Sequence, residues 1–486
     1  QSTWRQRMVD RLHLARTAVG LLAAYLRLEA RKRRFYARLT AALGPERPDL
    51  SDRRADELVA YYHALDSQLL HHWDAPLLND FFAMIFYGVL RRLTARWCGD
   101  VEGTLQNDLL TGEGGMVSAE PAARVREMAR LAADAAATRP GLLELLAEGN
   151  RRAIEDALGG LPALHRAYRD YLARFGDRCL NELKLESPTL YDDPLPLLRA
   201  VGRLARQMVE DPAALPPADL QPQVRARAEA RVAAALARSP LRRRLFHWVL
   251  GNARARVRDR ENLRFERTRV FGRARQIFRE LGSRLYADGQ LDDPADVFYL
   301  EVGEVCGFVE GTATCTDLRG LAALRKAEFA RYATLPAPAT RFATVGAVHQ
   351  GNDFQAQEAA PPAAAGESQV GLGCSPGRVQ GRARVVRNPL EANLSAGDII
   401  IAEHTDPSWI MVLPLAGGLV VERGSLLSHA AIVARELGIP AVVGLRGATS
   451  WIEDGEPVEV DGGTGVVRKL AAPSPGSSGP VATRRD

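Results

Sequence analysis

Apolar residues recur every three or four positions along most of the first 335 residues of the chain. This spacing is typical of amphipathic helices that bury one face. The stretch "RMVDRLHLARTAVGLLAAYLRLEARKRRFYARL" shows the pattern with arginines between its apolar positions, and a long helix is predicted over about 241–286. The pattern therefore predicts a large all-helical domain over residues 1–335.

The pattern changes beyond residue 335. Residues 336–370 are rich in Ala, Pro, Gly and Gln without a sustained period, which predicts a flexible linker. Over 371–470, short apolar runs typical of strands surround one helical stretch, which predicts a compact domain of the β/β/α type. Residues 471–486 are of low complexity and are predicted to form a disordered tail. The predicted fold class is multidomain, α followed by α/β.

Composition excludes several classes of protein. The chain has 486 residues, 46% hydrophobic and 25% charged, a balance typical of globular domains. The net charge of +5 comes without a concentrated basic patch, which argues against nucleic-acid binding. No apolar run approaches the roughly 18 residues of a membrane span. Five scattered cysteines without a C-x-x-C pair predict a reduced, cytoplasmic protein with no zinc site, and no metal ligand is predicted. Because the chain begins with Gln in a helical pattern, we expect it to be part of a longer protein.

His429 stands where a strand passes through the connection "RGSLLS" into a helix. Ser428 is a predicted N-cap, and Gly438 is placed to end the helix. The first turn of a helix presents free N–H groups and the positive end of the helix dipole, which suit an anion such as phosphate. The same position favours a neutral, nucleophilic imidazole that could accept a phosphoryl group. The alternative is a surface or capping histidine.

The sequence around His429 resembles a known domain. The run "TDPSWIMVLPLAGGLVVERGSLLSHAAIVARELGIPAVVGL" at 405–445 resembles the phosphohistidine swivelling domain of the phosphoenolpyruvate-utilising enzymes. Residues 375–386 and 458–467 resemble the opening and closing segments of that domain. Residues 174–198 and 289–305 resemble the middle domain of the rifampin-phosphotransferase-like branch. The resemblance implies that His429 carries a phosphoryl group.

The resemblance also implies a reaction and its participants. It implies a phosphotransferase that passes a phosphoryl group from ATP, by way of the histidine, to a small-molecule acceptor. ATP and Mg²⁺ would bind at an ATP-grasp domain or subunit outside this chain, because no ATP-grasp signature occurs here. The alternatives are a non-catalytic phosphoryl-carrier subunit, an ATP-dependent ligase-like biosynthetic enzyme and a phosphoenolpyruvate synthase-like enzyme.

Two positions depart from the family pattern. Gly424 is followed by Ser425 where members often have Gly-Gly, which leaves the loop less free to wrap a phosphate. Leu427 stands where the synthase and dikinase branch usually has a regulatory Thr, and this weakens the synthase alternative.

Further candidate residues belong either to the phosphate site around His429 or to a predicted acceptor site. The residues that we expect near the phosphoryl group are Ser428, Arg435, Thr405 and Arg423. The alternatives are solvated arginines that pair with neighbouring residues, for Arg435 and Arg423, and a turn hydroxyl, for Thr405. On the predicted long helix, polar Glu261, Arg264 and Thr268 interrupt an otherwise apolar stripe, where burial is costly without partners. They could line an acceptor cleft, or Glu261 and Arg264 could form an ion pair inside a helix bundle. Arg178 and Glu182 allow the same two interpretations.

Overall fold

The structure is a computed structural model. It describes residues 4–44, 47–100, 103–112, 115–117, 120–178, 184–210, 220–335, 342–346, 348, 355–356, 366–389, 394–395, 397–406, 409 and 412–470.

Helices occupy most of the chain before residue 335, as predicted. They are α1 (Trp4–Leu43), α2 (Ala55–Gln68), α3 (Asp74–Cys98), α4 (Thr104–Leu110), α5 (Glu120–Ala136), α6 (Leu142–Glu148), α7 (Arg151–Gly159), α8 (Pro162–Phe175), α9 (Leu195–Glu210), α10 (Leu220–Ala235), α11 (Pro240–Ala287), α12 (Val302–Glu310) and α13 (Leu318–Thr334), followed in the C-terminal region by α14 (His429–Leu437) and α15 (Ala448–Trp451). Short 3₁₀ turns lie at Leu70–His72, Pro294–Tyr299 and Leu413–Leu415. The helix α11 confirms the predicted long helix.

The C-terminal region is built on a mixed sheet. The strands are β1 (Phe342–Ala343), β2 (Gln355–Ala356), β3 (Ser368–Val370), β4 (Leu372–Ser375), β5 (Arg378–Val385), β6 (Ile399–Ala402), β7 (Gly418–Val421), β8 (Ala441–Val443), β9 (Pro457–Asp461) and β10 (Val466–Lys469). The sheet order is β3-β10-β9-β5-β6-β7-β8-β4, and β5 to β8 run parallel. The strands β1 and β2 pair separately. Strands that surround a helix confirm the predicted α/β character of this region.

The chain divides into two compact units. The first contains residues 1–82, 172–192 and 263–364, and the second contains 83–171, 193–262 and 365–486. This division differs from the predicted single helical domain over 1–335, because helices between residues 83 and 262 belong to the same unit as the sheet. Interleaved segments of this kind leave no composition boundary for a sequence pattern to reveal.

The predicted linker and tail are described only in small part. Within 336–370, β1 pairs with β2 and β3 pairs with β10, so the sheet begins at residue 368 rather than at 371. Most of the remaining linker, and the whole predicted tail at 471–486, lie outside the described residues.

The first unit has a core drawn from helices distant in sequence. Phe35 of α1, Leu58 of α2 and Leu281 of α11 are each fully buried within it. Phe35 also meets Trp73 edge-on, with ring centroids 5.0 Å apart. Burial of such side chains supplies the main stabilisation of the bundle.

In the second unit, helices and sheet share contacts. The helix α9 packs on α5 and α6, while α4 packs on α10 and β4. The sheet core is apolar and includes Ile399, Val420 and Val442, and α14 packs on β4 and β8. This packing fixes the start of α14 against the sheet. Among the helices that the structure describes, none combines the length and apolar character that crossing a membrane requires.

Candidate functional site

Thr405, Arg423 and the turn that leads to His429 lie at one edge of the sheet. The strands β6, β7 and β8 run parallel, so their carboxyl ends lie at the same edge. Thr405 follows β6, and the turn that leads to His429 follows β7. The two connections are joined by the Arg423 N–H, which donates to the Glu403 carbonyl over 2.9 Å. Ligand sites in parallel sheets commonly form at this edge.

Local sequence places His429 at the first position of α14. The Ser428 hydroxyl oxygen accepts a hydrogen bond from the Ala431 N–H over 3.4 Å, which confirms the predicted N-cap. The helix ends at Gly438, whose φ of 69° lies in the left-handed region that glycine favours. Gly424 lies in the turn before the helix, and a Cβ there would stand only 3.1 Å from the Val443 Cβ. The turn therefore packs closely against the end of β8.

The imidazole of His429 is held from one side only. Its Nδ1 lies 3.2 Å from Oε2 of Glu261, and their side chains are only 18% and 4% exposed. The opposite nitrogen, Nε2, is buried and meets no hydrogen-bond partner among the described residues. With Glu261 ionised, its carboxylate can only accept, and this contact then requires the tautomer with the hydrogen on Nδ1 and the lone pair on Nε2. The geometry presents Nε2 as a nucleophile.

A small apolar cluster fixes this pair of side chains. Met116, Val257 and Ile432 are buried together, and Leu427 packs against them. Val257 lies one turn before Glu261 on α11, and Ile432 lies one turn after His429 on α14. Because residues three or four apart share a helix face, the apolar contact and the polar contact reinforce each other.

Arg435 is buried rather than open to a ligand. Arg435 is only 2% exposed. The guanidinium donates to the carbonyls of Leu426 and Cys374 over 2.9 and 3.3 Å, and to Oδ1 of Asn107 over 3.4 Å. The neighbouring Cys374 is fully buried, and this burial raises the pKa of its thiol to about 12. These contacts are those of a cation that holds backbone in place, and a direct phosphate contact by Arg435 stays a prediction.

The other predicted phosphate-binding residues lie in different environments. Arg423 is 56% exposed at its side chain and forms an ion pair with Glu403. The Thr405 hydroxyl oxygen is buried and meets no hydrogen-bond partner within the described part of the chain. Ser428 acts as the cap of α14. A phosphate-binding role for these three residues stays a prediction.

The residues predicted to form an acceptor site fall into both units. Glu261 belongs to the second unit, where it meets His429. In the first unit, Arg264 donates to Asp80 over 2.8 Å and the Thr268 hydroxyl donates to the Phe265 carbonyl over 2.7 Å.

Arg178 and Glu182 complete that predicted set. Arg178 follows the end of α8 and stands over the Phe265 ring, 5.6 Å from its centroid. Glu182 lies outside the described residues. The acceptor site as a whole stays a prediction.

Sequence reasoning missed the pairing of Glu261 with His429 and the contacts of Asn107. The polar break in the apolar stripe of α11 did single out Glu261, but sequence alone could not show which side chain it would meet. Asn107 gave no signal, because an asparagine in a short helix has no distinctive pattern.

The described residues include no group of three or more His, Cys, Asp or Glu side chains that could hold a metal ion. The Mg²⁺ and ATP implied by the resemblance were expected outside this chain, and that expectation stays a prediction.

Comparison with known proteins finds two family models that match separate parts of the chain. Residues 394–465 match the family described as PEP-utilising enzyme, mobile domain. Residues 77–261 match the family described as rifampicin phosphotransferase fourth domain. The second range ends at Glu261 and contains residues 83–171 and 193–261 of the second unit together with 77–82 and 172–192 of the first.

Longer relatives show the same similarity. An uncharacterized protein of Mycobacterium tuberculosis is 35% identical over 343 residues, which are 71% of this chain and 36% of that protein. The rifampicin phosphotransferase of Streptomyces sviceus is 31% identical over 345 residues, 70% of this chain and 38% of that protein. Chondramide synthase cmdD of Chondromyces crocatus is 31% identical over 331 residues, 62% of this chain and 8% of that protein. The chain thus spans little more than a third of the first two relatives and a small part of the third.

Proposed function

This chain belongs to the phosphoenolpyruvate-utilising enzymes of the rifampicin phosphotransferase type. From this premise we propose that it is the part of a phosphotransferase that carries a phosphoryl group on His429. The observation that carries the proposal is the geometry of the imidazole. Nδ1 is engaged by Glu261, whereas Nε2 is buried without a hydrogen-bond partner among the described residues.

In the loading step, the lone pair of Nε2 attacks the phosphorus atom of a phosphoryl donor. A nitrogen–phosphorus bond forms while the bond from phosphorus to the donor's leaving oxygen breaks, and that oxygen keeps the electron pair. For the β-phosphoryl group of ATP, which the resemblance implies, the leaving group is AMP, and water then removes the γ-phosphoryl group as inorganic phosphate. Phosphoryl transfer depends on positioning and charge more than on covalent help from the protein. A ring fixed at Nδ1 and placed at a helix N-terminus supplies both.

Glu261 acts as a positioning residue through Nδ1. When Nε2 binds phosphorus, the ring becomes an imidazolium because Nδ1 keeps its hydrogen. The carboxylate 3.2 Å away stabilises that positive charge. In the discharge step, an acceptor oxygen attacks phosphorus, the nitrogen–phosphorus bond returns its electron pair to Nε2, and the acceptor's proton passes to water.

The donor and acceptor sites belong to the proposal by resemblance. ATP with Mg²⁺ is the donor that the family implies, bound by an ATP-grasp domain or subunit outside this chain. Rifampicin is the first acceptor to test, because the relative from Streptomyces sviceus bears the name rifampicin phosphotransferase. The match to chondramide synthase cmdD favours one second candidate, a biosynthetic role in which phosphorylation activates a substrate for condensation.

The test follows the label after loading. The complete enzyme is incubated with ATP labelled at the β-phosphoryl group, the position that the resemblance implies, and is then freed of nucleotide and offered rifampicin. Transfer of label from protein to rifampicin supports the phosphotransferase. Label that leaves only to a partner protein indicates a carrier subunit, and label released as phosphate together with a condensed product indicates the biosynthetic role. Absence of label on the protein contradicts all three.

A further inference from the structure

The buried guanidinium of Arg435 lacks an acidic counter-ion. No ion pair involves Arg435 within the part of the chain that the structure describes, although the residue is only 2% exposed. A buried charge without an opposite charge is costly unless hydrogen bonds compensate it. The compensating groups here are carbonyls and one amide, so the positive charge of Arg435 remains unneutralised beside the turn that precedes His429.

Asn107 of α4 completes the set of contacts around this cation. Its Oδ1 accepts from Nη1 of Arg435 over 3.4 Å and from the Tyr87 hydroxyl over 3.5 Å. Its Nδ2 donates to the Gly373 carbonyl of β4 over 3.2 Å. Both ends of one buried amide therefore join the helical part of the second unit to the sheet part that carries His429.

The same cation reaches the turn that delivers His429. Nη2 of Arg435 donates to the Leu426 carbonyl over 2.9 Å, and the turn is closed by the Ser428 N–H, which donates to the Ser425 carbonyl over 2.9 Å. Fixing the Leu426 carbonyl fixes the cap of α14 and hence the direction of the imidazole. A continuous series of hydrogen bonds thus runs from Asn107 to the turn before His429.

We propose that Asn107 and Arg435 are positioning residues that hold the turn before His429 so that Nδ1 meets Glu261 and Nε2 is the nitrogen that receives phosphorus. This inference rests on the proposed function, because it concerns which nitrogen of the carrier reacts. Asn107 acts through Arg435 and touches no reacting atom. Its contribution depends on contact between α4 and the sheet, so the imidazole is oriented fully only while that contact is made.

The experiment reads the orientation of the ring directly. Protein with ¹⁵N-labelled histidine is compared by NMR for the parent, Asn107→Leu and Asn107→Asp. Each is then phosphorylated with potassium phosphoramidate, and the ratio of Nε2-linked to Nδ1-linked product at His429 is measured. A matched control is Gln106→Met, because buried Gln106 neighbours Asn107 on α4 and donates instead to the Tyr87 carbonyl over 2.8 Å.

The parent should show a single signature with hydrogen on Nδ1 and product on Nε2. In Asn107→Leu, the ¹⁵N signals of His429 should shift toward those of an imidazole that exchanges between its two tautomers. The ratio of Nε2-linked to Nδ1-linked product should fall by about tenfold, which corresponds to the loss of one buried hydrogen bond of about 1.4 kcal/mol. Asn107→Asp keeps an oxygen for Arg435 but loses the donation to the Gly373 carbonyl, so it should recover only part of the parental ratio. Gln106→Met should match the parent.

Two results would overturn the inference. One is a parental signature and ratio in Asn107→Leu. The other is an equal change in Gln106→Met, which would indicate general loosening of α4. If Asn107→Leu does not fold, Asn107→Ser replaces it, since its shorter side chain also loses the contact with Arg435. These readouts need neither ATP nor an acceptor, so their failure is distinct from the failure of His429 to charge in the complete enzyme.

Discussion

Replacing Glu261 by glutamine tests whether the carboxylate assists phosphorylation of His429. The amide keeps the shape of the side chain but removes the negative charge that stabilises the imidazolium. A hydrogen bond to a charged group is worth about 1.5–3 kcal/mol. Because the Nδ1–Oε2 distance of 3.2 Å is longer than the roughly 2.8 Å of a strong charge-assisted bond, the lower half of that range applies. The expected result is a loading rate about 10- to 50-fold lower.

The assay measures loading and folding on the same variants. Single-turnover labelling of the complete enzyme gives the loading rate, ¹⁵N NMR gives the imidazole tautomer, and thermal unfolding reports stability. Glu261→Asp keeps a carboxylate and should recover part of the rate. Asp259→Asn is the matched control, because it removes another buried carboxylate from the same helix, one that is paired with Arg256 at 3.4 Å. Parental loading and an unchanged tautomer in a folded Glu261→Gln protein would refute the assigned role.

Three further changes address the stability of the second unit. Ser428→Ala removes the cap of α14 and should lower the free energy of unfolding by about 1 kcal/mol in denaturant titrations, whereas Ser428→Asp should largely restore it. Ile432→Ala opens a cavity beside Val257 and should lower the free energy of unfolding by about 2–4 kcal/mol in the same titrations. An unchanged free energy of unfolding would indicate that this cluster is loosely packed. Burial raises the pKa of Asp108 from its ordinary 3.8 to about 6, so the cost of ionising it in the folded protein is complete above about pH 6 and is lost as the pH falls from 6 towards 3.8. Asp108→Asn should therefore raise the free energy of unfolding at pH 8 by about 1–2 kcal/mol, after allowance for solvent screening of a partly exposed group. At pH 4 it should leave the free energy of unfolding nearly unchanged. The same gain at both pH values would contradict the raised pKa of Asp108.

Local patterns predicted local structure well. Ser428, His429 and Gly438 gave the start and end of α14 correctly, because caps and left-handed glycines are properties of a few neighbouring residues. The apolar stripe of α11 was predicted for the same reason.

Contacts between distant segments could not be read in this way. Glu261 was recognised as a polar break on an apolar face, but its partner lies 168 residues further along the chain. Arg435 was singled out by its motif, but nothing in the sequence indicated its contact with Asn107, 328 residues earlier. Side chains that satisfy one another across a fold carry no periodic signal, and the division of the helices between two units depends on such contacts.

The most direct measurement is the site of phosphorylation in the complete enzyme during turnover with ATP. Mass spectrometry and ³¹P NMR under alkaline conditions should find an acid-labile, alkali-stable phosphoryl group on Nε2 of His429, and His429→Asn should abolish the label in a protein that still folds. Label that persists in His429→Asn, or that maps to another of the chain's nine histidines, would contradict the account.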